Sequence, residues 1–89
     1  MSDMETFRNV LMQELLALSQ RERNLKAYED EVKDLKEHWQ QEMNVDPQLA
    51  LRREERLANA RFEIQQEKEM INRRFYQLVQ FGQLWNGGD

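Results

Sequence analysis

The sequence predicts an all-α protein, an antiparallel two-helix coiled-coil hairpin that dimerises into a four-helix bundle. Two apolar ladders with a seven-residue period lie on either side of one short interruption at residues 44–46. The interruption ends in Asp46, which is followed by Pro47, the single proline of the 89 residues. Charged residues make up 34% of the chain and only three residues are glycine, which is typical of long, surface-rich helices.

Composition argues against several classes of function. The chain has no cysteine and one histidine, His38, which removes disulfides, thiolate metal sites and most thiol and zinc enzymes. Its 17 acidic and 13 basic residues are intermixed and leave a net charge of −4, so polyanion binding is not favoured. Because no long apolar run and no signal-like start occur, we expect a cytoplasmic protein that does not enter a membrane. No cofactor is expected.

The first helix is predicted over residues 3–43. Ser2 and Glu5 have the spacing of a capping box just before the apolar pattern begins. Every seventh residue is then apolar, which is typical of a coiled-coil seam. This first ladder consists of Met4, Leu11, Leu18, Leu25, Val32 and Trp39.

The second helix is predicted over residues 47–85, after a turn at residues 44–46. Pro47 suits a first helical turn, where the missing N–H would have no partner. Residues 86–89 are expected to stop the helix and fray. We expect residues 1–89 to form one domain with helices about 60 Å long. The second ladder consists of Ala50, Leu57, Ile64, Ile71, Leu78 and Trp85.

Folding the chain near residue 44 predicts the register of the two helices, with residue i opposite about 88 minus i. Glu14 then faces Arg74. In the same register Arg21 faces Glu67. All four charged residues follow a ladder residue by three positions, so opposite charges meet where this second row of positions is polar. The apolar pairs in this register are Phe7 with Phe81, Leu11 with Leu78, Leu18 with Ile71 and Leu25 with Ile64.

Near the two termini the helices carry more apolar side chains than one facing helix can cover. Such a patch predicts an interaction surface, either for a second copy in a four-helix bundle or for another protein. Trp39 and Phe81 are expected in the core, whereas Tyr76 and Trp85 suit either kind of interface. The predicted interface residues are Met12, Leu15, Leu16, Phe75, Tyr76, Val79 and Trp85.

One group of residues has a spacing that suggests a metal site. Asp34, His38 and Glu42 share a helical stripe, and Glu54 or Glu55 of the other arm could join them. Di-metal bundles use paired Glu-x-x-His segments, which this chain lacks. A metal site is therefore not favoured.

A second group suggests contacts to nucleic acid, since basic residues cluster twice and aromatic residues follow the second cluster. Acidic residues at positions 54 and 55 interrupt the first cluster, so a salt-bridged helix surface is the favoured interpretation. The arginines concerned are Arg52, Arg53, Arg56, Arg73 and Arg74.

These patterns predict a non-enzymatic protein–protein interaction module, such as an adaptor, a chaperone-like protein or a regulator. The chain has no nucleophile–base pair and no glycine-rich loop that would indicate catalysis. The expected mechanism is helix packing through the apolar end near the termini, with a second copy and another protein as partners. The alternatives are a structural subunit of a larger assembly and, with less support, a nucleic-acid binder.

Overall fold

The protein is an antiparallel hairpin of two α-helices. This computed structural model describes the backbone of residues 2–87 and the side chains of residues 2–83. Helix α1 spans Asp3–Gln40, helix α2 spans Pro47–Gly87, and no strand occurs within residues 2–87. The all-α, two-helix part of the predicted fold class is confirmed, because the two helices pack against each other. The hairpin is a rod of 67 × 16 × 13 Å.

Helix α1 is capped at its start and tightens at its end. Ser2 has extended backbone angles, and its Oγ accepts a hydrogen bond from the N–H of Glu5 at 3.4 Å. This bond satisfies one of the amides that a first turn leaves unpaired. The helix ends at Gln40 rather than at residue 43, because the next two amides each bond at 3.3 Å to a carbonyl three residues earlier and so tighten the chain.

The connection between the helices is consequently longer than the turn expected at residues 44–46, and it spans residues 41–46. Asn44 has a φ of 61°, a left-handed angle that asparagine tolerates better than most residues. Asp46 then caps helix α2, because its Oδ1 accepts the N–H two residues further on at 3.2 Å. Pro47 is the first residue of the helix.

Helix α2 continues to Gly87, past the end expected at residue 85. Glycine weakens a helix but does not remove its hydrogen bonds as proline does, so Gly87 can remain helical. The rest of the expected tail, residues 88 and 89, lies outside the described residues.

A thin apolar seam holds the helices together. Every ladder residue whose side chain is described is buried or half-buried, so the seven-residue period of the sequence is also the period of the contact. Leu18, Ile71 and Leu78 form a buried cluster in which each residue is only 5 or 6% exposed. Ala60 is the other buried apolar residue of the described part, so the hairpin hides little apolar surface by itself. The half-buried residues packed against the cluster are Leu11, Leu15 and Leu25.

We expect the substitution Gly82→Ala to stabilise the hairpin. Gly82 lies within helix α2, and a Cβ placed on it meets Leu11 Cδ2 at 3.9 Å, an ordinary van der Waals distance. Because glycine inside a helix costs about 0.5–1 kcal/mol relative to alanine, the free energy of unfolding in urea should rise by about that amount. The matched control is Ala17→Gly on the exposed side of helix α1, which should lower it by a similar amount. A decrease for Gly82→Ala would contradict the helical conformation at residue 82.

Candidate interaction surface

Two ion pairs cross between the helices in the half of the hairpin that contains the termini. Arg74 Nη2 lies 2.8 Å from Glu14 Oε2. Arg21 Nη2 lies 2.7 Å from Glu67 Oε1 and 4.0 Å from Met70 Sδ. In both pairs the residue numbers add up to 88, so the structure brings together the polar pairs expected from the sequence. All four side chains are partly exposed to water, so each pair contributes at most about 1 kcal/mol.

Two aromatic residues expected in the core differ in how far they are covered. Trp39 is half-buried. The ring of Phe81 contacts that of Phe7, with centroids 5.0 Å apart, but half of the Phe81 side chain remains exposed. The expectation of a core position is wrong for Phe81, because one facing helix covers only one side of its ring.

A small polar cluster near the connection was not predicted. The guanidinium of Arg53 lies 5.1 Å from the centre of the Trp39 ring, and its Nη2 lies 2.7 Å from Glu42 Oε2. His38 Nε2 lies 3.6 Å from the other oxygen of Glu42. Glu42, one of the three residues of the stripe that also contains Asp34 and His38, thus binds a guanidinium. No three acidic or imidazole side chains of the described residues are placed to hold a metal ion.

Tyr28 makes a further contact between the helices, which the register alone did not predict. Its Oη donates a hydrogen bond to Glu63 Oε2 at 2.9 Å. This hydrogen bond, followed by partial desolvation and the negative charge of Glu63, raises the pKa of Tyr28 above its ordinary value of 10.0. The contact therefore stabilises the hairpin below pH 10.0, and the stabilisation is lost as the pH rises through the raised pKa.

The five arginines considered for nucleic-acid contacts differ in their surroundings. Arg53 forms an ion pair with Glu42 of the connection, and Arg74 forms one with Glu14 of helix α1. These two guanidinium groups are therefore partly neutralised, which weakens the case for a continuous basic surface. The other three, Arg52, Arg56 and Arg73, are exposed.

Most of the predicted interface residues have exposed side chains. Leu15 is half-buried, because it packs against the buried cluster of the seam. The side chain of Trp85 lies outside the described residues. The other five, with exposed fractions between 40 and 69%, are Met12, Leu16, Phe75, Tyr76 and Val79.

Leu15 and Phe75 lie on the same side of the hairpin. Steps of seven residues keep to one side of a coiled coil. Such steps lead from Leu15 to Glu29 on helix α1 and from Phe75 to Lys68 on helix α2. Lys68 Nζ lies 3.5 Å from Glu29 Oε1, so both rows border the same flank of the hairpin.

The exposed apolar residues Met12 and Val79 extend this flank. Met12 precedes Leu15 by three residues and Val79 follows Phe75 by four, the spacings of neighbours on one helix face. We call Met12, Leu15, Phe75 and Val79 the terminal flank. Leu16 and Tyr76, which directly follow Leu15 and Phe75 in the chain, lie at its outer edges. They have the largest exposed fractions of the predicted interface residues, 61% for Leu16 and 69% for Tyr76.

A second apolar group, which the ladder pattern did not predict, lies near the connection. Met43 is 87% exposed, since it follows the end of helix α1. Leu49 and Leu51 are also exposed, because they stand on either side of Ala50, which belongs to the seam. We call Met43, Leu49 and Leu51 the turn group. A helical projection started at Pro47 is the signal that would have found the two leucines.

Comparisons with protein-family models, with curated proteins and with solved structures found no match to this chain. Within the described residues, neither helix combines the length and the apolar character needed to cross a membrane.

The polar pair of Glu14 and Arg74 can be tested by exchanging its charges. We expect Arg74→Glu to lower the free energy of unfolding, because it sets two carboxylates against each other. The double variant Glu14→Arg/Arg74→Glu should recover most of the loss, which on this half-exposed pair is about 1 kcal/mol, as measured by urea denaturation. The second ion pair offers the matched comparison: Glu67→Arg alone should lower the free energy of unfolding, and adding Arg21→Glu should recover most of the loss. Equal losses in the single and double variants would contradict the pairing.

Proposed function

We propose that this chain is a non-enzymatic protein–protein interaction module that binds by helix packing on the terminal flank and its two outer edges. An adaptor, chaperone-like or regulatory role suits such a module. The observation that supports it most directly is the set of five large apolar side chains, drawn from both helices, that remain 40 to 69% exposed near one end of the rod. Exposed apolar surface of this extent is typical of interaction sites.

Self-association is the first form of binding that we propose, with two hairpins making a four-helix bundle. The seam buries only four apolar residues within the described chain. A core this small gains stability from oligomerisation, metals or disulfides, and the chain has no cysteine for the last of these. Packing a second hairpin on the terminal flank would bury Met12, Phe75 and Val79 and enlarge the core.

The double variant Met12→Glu/Phe75→Glu tests this proposal. Both side chains are about half exposed or more in the hairpin, so the substitutions should leave the helix content measured by circular dichroism unchanged. Burying two unpaired carboxylates in an interface is strongly unfavourable, so the dissociation constant should rise by at least about 100-fold. The measurement is the mass from light scattering behind a sizing column, across a wide concentration range.

The matched control is Phe62→Glu, which replaces an aromatic residue that is 65% exposed on helix α2 but lies outside the terminal flank and its edges. It should leave both the mass and the helix content as they are. If the double variant kept the mass of the unsubstituted protein, the proposed surface would be wrong.

A structural subunit of a larger assembly is the second candidate, because the turn group adds exposed apolar residues at the other end of the rod. Contacts at both ends would let hairpins grow into open assemblies. We then expect the mass to rise with concentration beyond a dimer, and Met43→Glu/Leu51→Glu to limit it to a dimer. A mass that stays at a dimer in the unsubstituted protein would exclude this candidate.

Nucleic-acid binding is the third candidate and has less support. Two of its five arginines, Arg53 and Arg74, are engaged in ion pairs with Glu42 and Glu14. It would require an affinity that falls steeply with salt.

A further inference from the structure

We infer that the terminal flank is covered by a second copy of this chain, related by a twofold axis parallel to the long axis of the hairpin, so that both turns lie at the same end. The inference rests on the proposed function, since it names the partner of the same surface and its orientation. In this arrangement helix α1 of each copy packs against helix α2 of the other, and the two run antiparallel, as neighbours in a four-helix bundle commonly do.

The two rows that border the flank are matched from Leu15 to Lys36 on helix α1. Steps of seven from Leu15 on helix α1 and from Phe75 on helix α2 give four pairs whose residue numbers each add up to 90. The first pair is apolar and the other three join opposite charges. The pairs are Leu15 with Phe75, Glu22 with Lys68, Glu29 with Arg61 and Lys36 with Glu54.

The structure supports the placement of these charged pairs on one flank. Glu22 and Lys68 line the same shallow groove between the helices, and Lys36 and Glu54 line another nearer the connection. The salt bridge of Lys68 with Glu29 joins the two rows directly. The charges of the flank are therefore complementary across the hairpin.

A twofold axis along the rod repeats this complementarity between two copies. It keeps every residue at its own level along the rod and sets helix α1 of one copy beside helix α2 of the other. Leu15 then meets Phe75 of the second copy, and Met12 meets Val79 of the second copy. Each contact occurs twice by symmetry, which is what a twofold interface requires. No like charges of the two rows are set against each other.

The opposite orientation, with the turns at opposite ends, uses less of the flank. A twofold axis across the rod between the levels of Met12 and Leu15 sets helix α1 against helix α1 of the second copy, so that Met12 meets Leu15 and Phe75 meets Val79. Because this axis lies near one end of the rod, only the parts of the two rods near the termini overlap. The charged pairs nearer the connection, Glu29 with Arg61 and Lys36 with Glu54, then have no partner in the second copy.

The other flank of the hairpin is less suited to a second copy. The ion pair of Glu14 with Arg74 lies between its exposed apolar residues Val10 and Met70, and Arg21 contacts Met70. Charges therefore lie among the apolar residues of this flank, and burying those residues would remove water from the ion pairs, which is unfavourable. The charges of the terminal flank lie nearer the connection, apart from its apolar residues.

The size of the terminal flank and its continuation is sufficient for a stable dimer. A face 67 Å long and 16 Å wide has an area of about 1,000 Å², and a standard interface buries about 800 Å² on each partner. Leu16 and Tyr76 lie at the outer edges of the face, so they stay accessible in this dimer.

One introduced cysteine distinguishes the two orientations, because the chain has none of its own. Gln48 is exposed at the start of helix α2, next to the connection. We would label Gln48→Cys with a nitroxide and measure the distance between the two labels of a dimer by pulsed electron spin resonance. With the turns at the same end, packed helices place the labels within roughly 40 Å of each other. With the turns at opposite ends, the rise along the helices puts them about 80 Å apart.

Each outcome decides a different point. A distance within roughly 40 Å that disappears in the Met12→Glu/Phe75→Glu background and persists with Phe62→Glu supports the inference. A dimer with only the long distance overturns the orientation and leaves the proposed function in place. A labelled and an unlabelled protein that are both monomeric overturn the second copy as partner. A short distance that survives Met12→Glu/Phe75→Glu overturns both the inference and the proposed surface.

Discussion

The packing of Leu18 against Ile71 and Leu78 is the contact on which the rest of the hairpin depends. Each helix contributes one ladder to this seam, and a straight pair of helices can cover only that one side of each. The seam is continuous but thin, so it determines the fold but leaves other apolar residues of the chain exposed. The side chains left over near the termini follow from this geometry, since no third element is present in the described residues to cover them.

The ion pairs across the hairpin select its register more than they stabilise it. An apolar ladder with a period of seven would fit almost as well after a slip of seven residues. Such a slip sets Glu14 against Glu67 in one direction and Arg21 against Arg74 in the other. Both alternatives place like charges together, whereas the observed register forms two opposite pairs at 2.7 and 2.8 Å. Half-exposed pairs of modest strength are thus sufficient to make one of three apolar registers unique.

The sequence predicted the two helices, their antiparallel packing and the level at which charges meet, because all of these follow from a period of seven and one turn. The sequence did not predict the features that depend on side-chain length or on local hydrogen bonding. Arg53 stands opposite Leu35 in the register, yet its guanidinium reaches Glu42 and Trp39, nearer the connection. The early end of helix α1 depends on two hydrogen bonds that no residue pattern indicates. The exposure of Phe81 depends on how much of a ring one facing helix can cover.

The flank rows also explain why a hairpin of this kind is suited to pair with itself. Inside the hairpin the two rows belong to antiparallel helices at the same level. In the dimer that we infer, each row again meets an antiparallel partner at the same level, so a flank that is matched within one copy is matched between copies without further residues. Glu29, for example, binds Lys68 of its own chain, and in the dimer it faces Arg61 of the second copy. The charges would then determine the orientation, and the apolar residues of the terminal flank would provide the driving force, because removing apolar surface from water is favourable.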